Sequence, residues 1–149
     1  MPQRANGAAL AFVLALVSAP ACAVLGGDES TVEADNAQLK ASMKVAHAQR
    51  YTVHELTTPA GTVVREFVGP SGKVFAVAWS GPLMPDLRQL LGPHFGAFVE
   101  RAADRNTRGH VEIASPQLVV RSSGHMRAFA GSAYLPADVP EGVTPEDIR

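Results

Sequence analysis

The stretch YTVHELTTPAGTVVREFVGPSGKVFAVAWSGP, from Tyr51 to Pro82, decides the fold. Three β-rich runs, 51–58, 62–68 and 73–80, are separated by Pro59-Ala60-Gly61 and by Gly69-Pro70-Ser71-Gly72, and the third ends at Gly81-Pro82. Connections this short, built from residues that supply fixed or positive φ, join neighbouring strands running in opposite directions, so the stretch predicts an antiparallel three-strand meander. The run Val74-Phe75-Ala76-Val77-Ala78-Trp79 is apolar at both parities. It is expected to be the most buried strand.

Two features of this stretch bear on function. His54-Glu55 and Arg65-Glu66 interrupt runs that are otherwise β-branched and apolar, and a tight hairpin sets Glu55 opposite Arg65. The plain reading is a cross-strand ion pair on a solvated face, which adds little stability. The sharper one is a partly buried Arg65 on a concave face, where its planar fork holds a carboxylate or another anion. The exit Trp79-Ser80-Gly81-Pro82-Leu83-Met84-Pro85-Asp86 carries the sole tryptophan. Either Trp79 fills the core and the loop caps it, or Leu83 and Met84 form an apolar rim beside Trp79 that receives a partner or an apolar ligand. The candidate ligand or partner contacts are therefore Arg65, Glu55, Trp79, Leu83 and Met84.

Outward from the meander, Ser30-Thr31-Val32-Glu33 matches a capping box, and Val32, Leu39 and Met43 share one stripe, which predicts a surface helix over 30–45. Pro85 to Gly92 reads as one or two helical turns. A further helix over 94–105 has Phe95, Phe98, Val99 and Ala102 on one side. Val111 to Arg121, broken by Pro116, and Met126 to Tyr134 read as extended runs joined tightly by Ser122-Ser123-Gly124, and the Pro-rich tail 135–149 reads as irregular, a strap or a loose end. The expected architecture is a single α+β domain, an antiparallel sheet with the two helices on one face and the other face partly solvated and open to ligand.

The N-terminal segment predicts the compartment. Arg4, the apolar core Ala8 to Val17 and the Ala21-x-Ala23 pattern make residues 1–23 a secretory signal peptide, with the exported domain over 24–149. The apolar run is too short for a bilayer-spanning helix and no second one follows, so no transmembrane anchor is expected and the protein is read as periplasmic or secreted. Cys22, the only cysteine, lies within the signal. Ala21 before it admits lipidation, although Ala19 stands where a lipoprotein signal usually has Leu. Cleavage after Ala23 leaves no thiol and no disulfide.

Thirteen Lys and Arg stand against fourteen Asp and Glu with no basic run, so no nucleic-acid partner is indicated. His47, His54, His94, His110 and His125 show no H-x-H, H-x-x-x-H or H-E-x-x-H spacing, and no metal is predicted. G-x-S-x-G, S-x-x-K and the glycine-rich phosphate loops are missing from the sequence, which predicts no cofactor and no catalytic residue. Two readings of function remain. The first is a non-catalytic binding or interaction module of the cell envelope, with an envelope protein or a small ligand as partner. The second is a small envelope hydrolase with His125, His54 or Asp86 as acid or base, assembled only by the fold.

Tyr51-Thr52-Val53-His54-Glu55, Gly61-Thr62-Val63-Val64-Arg65-Glu66-Phe67-Val68, the run from Val74 to Pro82 with Pro85-Asp86-Leu87, Gly124-His125-Met126-Arg127-Ala128-Phe129, and Leu25-Gly26-Gly27 after the signal together resemble a family of proteobacterial exported proteins catalogued as domain of unknown function 2844. The resemblance covers essentially the whole chain after the signal. It implies export and a single domain, and it assigns no activity to any residue.

Overall fold

Val74–Gly81 is buried along six of its eight residues, with Phe75 and Ala76 fully so. It has this place because it pairs on both sides with strands of the sheet. The computed structural model describes residues 24–104 and 109–149; the signal peptide read at residues 1–23 with Cys22, and Arg105 of the expected second helix, lie outside them. Among the described residues the strands are β1 (Ser42–His47), β2 (Thr52–Thr57), β3 (Val63–Val68), β4 (Val74–Gly81), β5 (His110–Ala114), β6 (Val119–His125) and β7 (Ala128–Tyr134). They form one seven-stranded sheet in the order β1-β2-β3-β4-β7-β6-β5, antiparallel throughout.

The meander read from the sequence is present as β2, β3 and β4, with Glu55 opposite Arg65. It is one strand longer than expected. The helix predicted over 30–45 is only α1 (Val32–Leu39), because Lys40 takes a left-handed conformation (φ 49°) and its N–H and that of Ala41 close the last turn onto Ala37 and Asn36. The chain then extends as β1, setting Met43 opposite Leu56 and covering an edge of β2 that a helix would have left without partners. Val32, Leu39 and Met43 still reach one core, two from a helix and one from a strand. The capping box does not form: Glu29–Thr31 is a 3-10 turn, and the Thr31 hydroxyl donates to the Asp28 carbonyl instead.

Two further corrections concern the C-terminal half. Residues 111–121 are two strands, and Pro116 lies in the hairpin between β5 and β6, where the Ser115 hydroxyl bonds the Leu118 N–H and carbonyl. Ser122-Ser123-Gly124 is interior to β6, and the turn falls at Met126-Arg127, with Arg127 at φ 65°.

The helices α1, α2 (Leu87–Leu91) and α3 (Phe95–Ala102) all lie on one face, hereafter the helix face. Val32, Leu87, Leu90 and Leu91 pack there against Leu56, Val64, Val77 and Trp79, with Phe95 and Phe98 at the margin. Gly92, at φ 50°, ends α2 where Val24 tucks against it, a place with no room for a Cβ. Gly131 likewise leaves room for the Trp79 ring, which a Cβ would overlap. The tail is an ordered strap on the opposite face, where Ile148 is 3 % exposed and packs with Phe67, Phe75, Ala76 and Ala78.

Candidate functional site

Side chains directly opposite in an antiparallel ladder point to the same face, so the register shows what the strap face presents. Reading across the strands, Lys44 lies opposite Glu55, Glu55 opposite Arg65, Arg65 opposite Ala78, Ala78 opposite Ser132, Ser132 opposite Arg121, and Arg121 opposite Glu112. One row thus crosses the sheet with small side chains in its middle and charges at both ends. The alternation Ala76-Val77-Ala78-Trp79 produces the dip: the large residues face the helices and the alanines face the strap.

At one end Arg65 Nε donates to Glu55 Oε2 at 2.9 Å, and Nη1 donates to the main-chain oxygen of Arg149 at 3.0 Å. Both side chains of the pair are about one-third exposed. Beside them lies a cavity of about 440 Å³ with Tyr51, Val53 and Phe67 among its apolar walls and both signs of charge in its lining, Lys44, Arg65 and Arg149 with Glu55 and Asp147. At the other end Arg121 Nε meets Glu112 Oε1 at 3.4 Å and His110 Nε2 lies 3.9 Å from Glu112 Oε2. A second cavity of about 280 Å³ there is lined by Arg121, His110, Ser80, Ser123 and Ser132, and again by Arg149. Ile148 and Arg149 line this second cavity, so the two hollows flank the end of the strap.

The helix face carries a different group of polar residues, buried rather than exposed. His54 and Glu66 are opposite each other and point away from Glu55 and Arg65. Glu66 and Asp35 are fully buried, and the Gln89 side-chain amide donates to Asp35 Oδ1. Burial, then the charge of Asp35, then a hydrogen bond that the protonated carboxyl donates to Asp35, push the Glu66 carboxyl up to about 9. It is therefore neutral at pH 7. His54 Nε2 donates to Glu29 Oε1 at 2.9 Å. These contacts tie the 3-10 turn, α1 and α2 to β2 and β3, and Val32 and Asp35 are the buried residues of α1. Among the described residues no three of His, Asp and Glu converge as a metal site.

A family model described as "Protein of unknown function (DUF2844)" matches residues 21–148. The chain belongs to this family. No curated protein and no solved structure matches it.

In this family member the candidates read from sequence separate into three places. Arg65 and Glu55 are paired on the strap face, as the hairpin register requires. Trp79 is 3 % exposed and lies on the helix face, so its ring contributes nothing to a surface rim. Leu83 and Met84 are exposed at 57 % and 39 %, on a loop that Thr62 holds through its hydroxyl bonds to the Leu83 carbonyl and N–H. The acid–base candidates do not meet either. Asp86 caps α2, accepting from the N–H groups of Arg88 and Gln89; His54 bonds Glu29; His125 ends β6.

Sequence reading misses Lys44, Arg121 and Glu112, because it places Lys44 on a helix and takes 111–121 as one extended run broken by Pro116, whereas Glu112 and Arg121 lie opposite each other on two paired strands. It also misses the pair Asp35 and Glu66. A signal for Glu66 was present: with Glu55 and Arg65 facing one way, strand alternation sends His54 and Glu66 into the other face, the one the helices cover.

Proposed function

We propose that this protein is an exported, non-catalytic binding module of the cell envelope whose ligand site is the strap-face hollow at Arg65, and that it takes ligands with an apolar body and an anionic head. The single observation that carries this reading is a hollow that joins the apolar walls Tyr51, Val53 and Phe67 to three cationic side chains, Lys44, Arg65 and Arg149, against two carboxylates, Glu55 and Asp147. An arginine fork fixed by Glu55 and lining the same hollow as apolar side chains suits a carboxylate or sulfonate attached to a hydrocarbon. The signal pattern in residues 1–23 supports export, and export places the module in the periplasm or outside the cell.

The test uses anilinonaphthalene sulfonate, an aromatic body with one sulfonate. Its fluorescence should rise saturably with wild type, weaken with added salt, and show at least tenfold lower affinity in Arg65→Ala, while Leu83→Ala leaves it unchanged. Equal binding to wild type and Arg65→Ala overturns the assignment of the site.

A further inference from the structure

The two edges of the sheet are finished differently. At β5 the helix α3 packs alongside. The Gly109 carbonyl accepts from Gly124 and the Ser115 N–H donates to Leu118, so odd positions of β5 bond β6 and Glu112 faces outward. Arg101 Nε on α3 donates to that outward Glu112 carbonyl at 3.2 Å and closes it. At β1 the Ala48 N–H donates to the Tyr51 carbonyl at 2.9 Å, and bonded and non-bonded pairs alternate from there. Ala46, Lys44 and Ser42 therefore bond β2, while His47, Val45 and Met43 direct N–H and C=O outward. Among the described residues no strand pairs with this side of β1 and no hydrogen bond closes those groups. The strand is regular over its six residues, with no proline and no register shift, and Val45 is 45 % exposed. An edge of this kind is a template for another strand.

We propose that the open edge of β1 docks a second copy of this chain, antiparallel about a two-fold axis at Val45, so that two sheets join into one. Charge and hydrogen bonding select both the partner and the register. A two-fold normal to the sheet keeps each face with its like, so residues of equal parity pair across the axis. Centred on Val45, Val45 meets Val45 and Met43 meets His47 from either side. Every outward N–H and C=O of the strand is then paired, the exposed valines cover each other, and Lys44 lies opposite Ala46. Centred on Lys44, two lysines stand directly opposite, which repels, and His47 faces Ala41, whose N–H already bonds Asn36. Centred on Ala46, Met43 falls outside the paired strand. One strand edge is a small interface, so the dimer is reversible. Lys44 and Ala46 line the hollow at Arg65, and the second copy's Lys44, opposite Ala46, adds a cation at its margin; this consequence rests on that hollow being the ligand site.

The experiment starts from Cys22→Ser, which removes the only thiol. Oxidation of Val45→Cys in that background should give a covalent dimer, because a bonded antiparallel pair sets its Cα atoms about 5.5 Å apart, within disulfide reach. Lys44→Cys, diagonal to its mate at roughly 7–8 Å, should cross-link several-fold more slowly. In sedimentation equilibrium wild type should show a reversible monomer–dimer exchange. Val45→Pro deletes an outward N–H and none that bonds β2, so it should melt cooperatively and stay monomeric. Equal cross-linking at 44 and 45, no cross-linking at 45, or a wild type that is monomeric up to millimolar concentration overturns the proposal. Oxidised Val45→Cys should also bind anilinonaphthalene sulfonate several-fold more tightly than the reduced protein, and equal affinities remove the second copy's Lys44 from the hollow. The two readings fail separately: a dimer that binds no probe removes the hollow and leaves the interface, whereas probe binding without cross-linking at 45 removes the interface and leaves the hollow.

Discussion

Replacing Glu66 by Gln isolates the most unusual electrostatic feature of the molecule. In the unfolded chain this carboxyl titrates near 4.5, and in the folded protein burial beside Asp35 raises it to about 9. Between those values the native state holds a proton that the unfolded state has released. The stabilisation linked to that proton is complete below pH 4.5 and is lost as pH rises toward 9. The slope is about 1.4 kcal/mol per pH unit for one proton, so the loss between pH 5 and 8 reaches roughly 4 kcal/mol at most. Asp35 and Glu66 titrate as a pair, and the slope belongs to the pair.

Glu66→Gln keeps the shape, removes the titration and offers Asp35 an amide donor in place of the shared proton. Urea unfolding followed by Trp79 fluorescence, at half-unit steps from pH 5 to 8.5, should show wild type losing stability with rising pH and the variant following a much flatter line. The two curves should lie closest at pH 5, with the variant the more stable of the two at pH 8. Parallel curves would refute the reasoning, since the carboxyl would then be ionised and solvated in the native state as it is in the unfolded one.

Other substitutions test the packing and the caps. Trp79→Ala truncates a ring that is 3 % exposed and fitted against Gly131, and should cost about 3–5 kcal/mol; a thermal melt like that of wild type would place the ring outside the core. Asp86→Ala removes the acceptor of the Arg88 and Gln89 N–H groups and should cost about 1 kcal/mol as a lost helix cap, with no change in sulfonate binding; a loss of binding with stability intact would give Asp86 a direct part in the site.

The central strands were legible because turn chemistry and alternation are local. Pro59-Ala60-Gly61 and Gly69-Pro70-Ser71-Gly72 allow few paths other than hairpins, and the parity of Glu55 and Arg65 then follows. The segment 30–45 misled because a stripe of Val32, Leu39 and Met43 satisfies a helix and also a helix followed by a strand; Lys40 carries no signal of its left-handed turn, which Gly or Asn would have given. In β6 the Gly124 that reads as a turn is covered by the Phe129 ring from the neighbouring strand, a tertiary contact that composition does not encode. Asp35 and Glu66 lie 31 positions apart, and only the packing of α1 on β3 joins them. The strap's role was invisible for the same reason: nothing near Ile148 announces the pocket that Ala76 and Ala78 leave for it.

Alternation along β2 and β3 divides the polar residues of the meander between two tasks. His54 and Glu66 go to the helix face, where Glu66 and Asp35 make the fastening of α1 depend on protons; Glu55 and Arg65 go to the strap face, where their charges stay partly exposed to water. Although Arg65 and Glu66 are adjacent in sequence, the sheet stands between their side chains, and they share none of the partners named above. Their effects should therefore be independent. Arg65→Ala should lower stability by under about 1 kcal/mol, as expected of an ion pair about one-third exposed, and weaken sulfonate binding; Glu66→Gln should flatten the pH profile and leave binding unchanged. In the double variant the stability changes at pH 8 should add to within about 0.5 kcal/mol. A larger deviation in the double-mutant cycle would mean that the two faces communicate through β3, and that loosening α1 by pH also alters the ligand face.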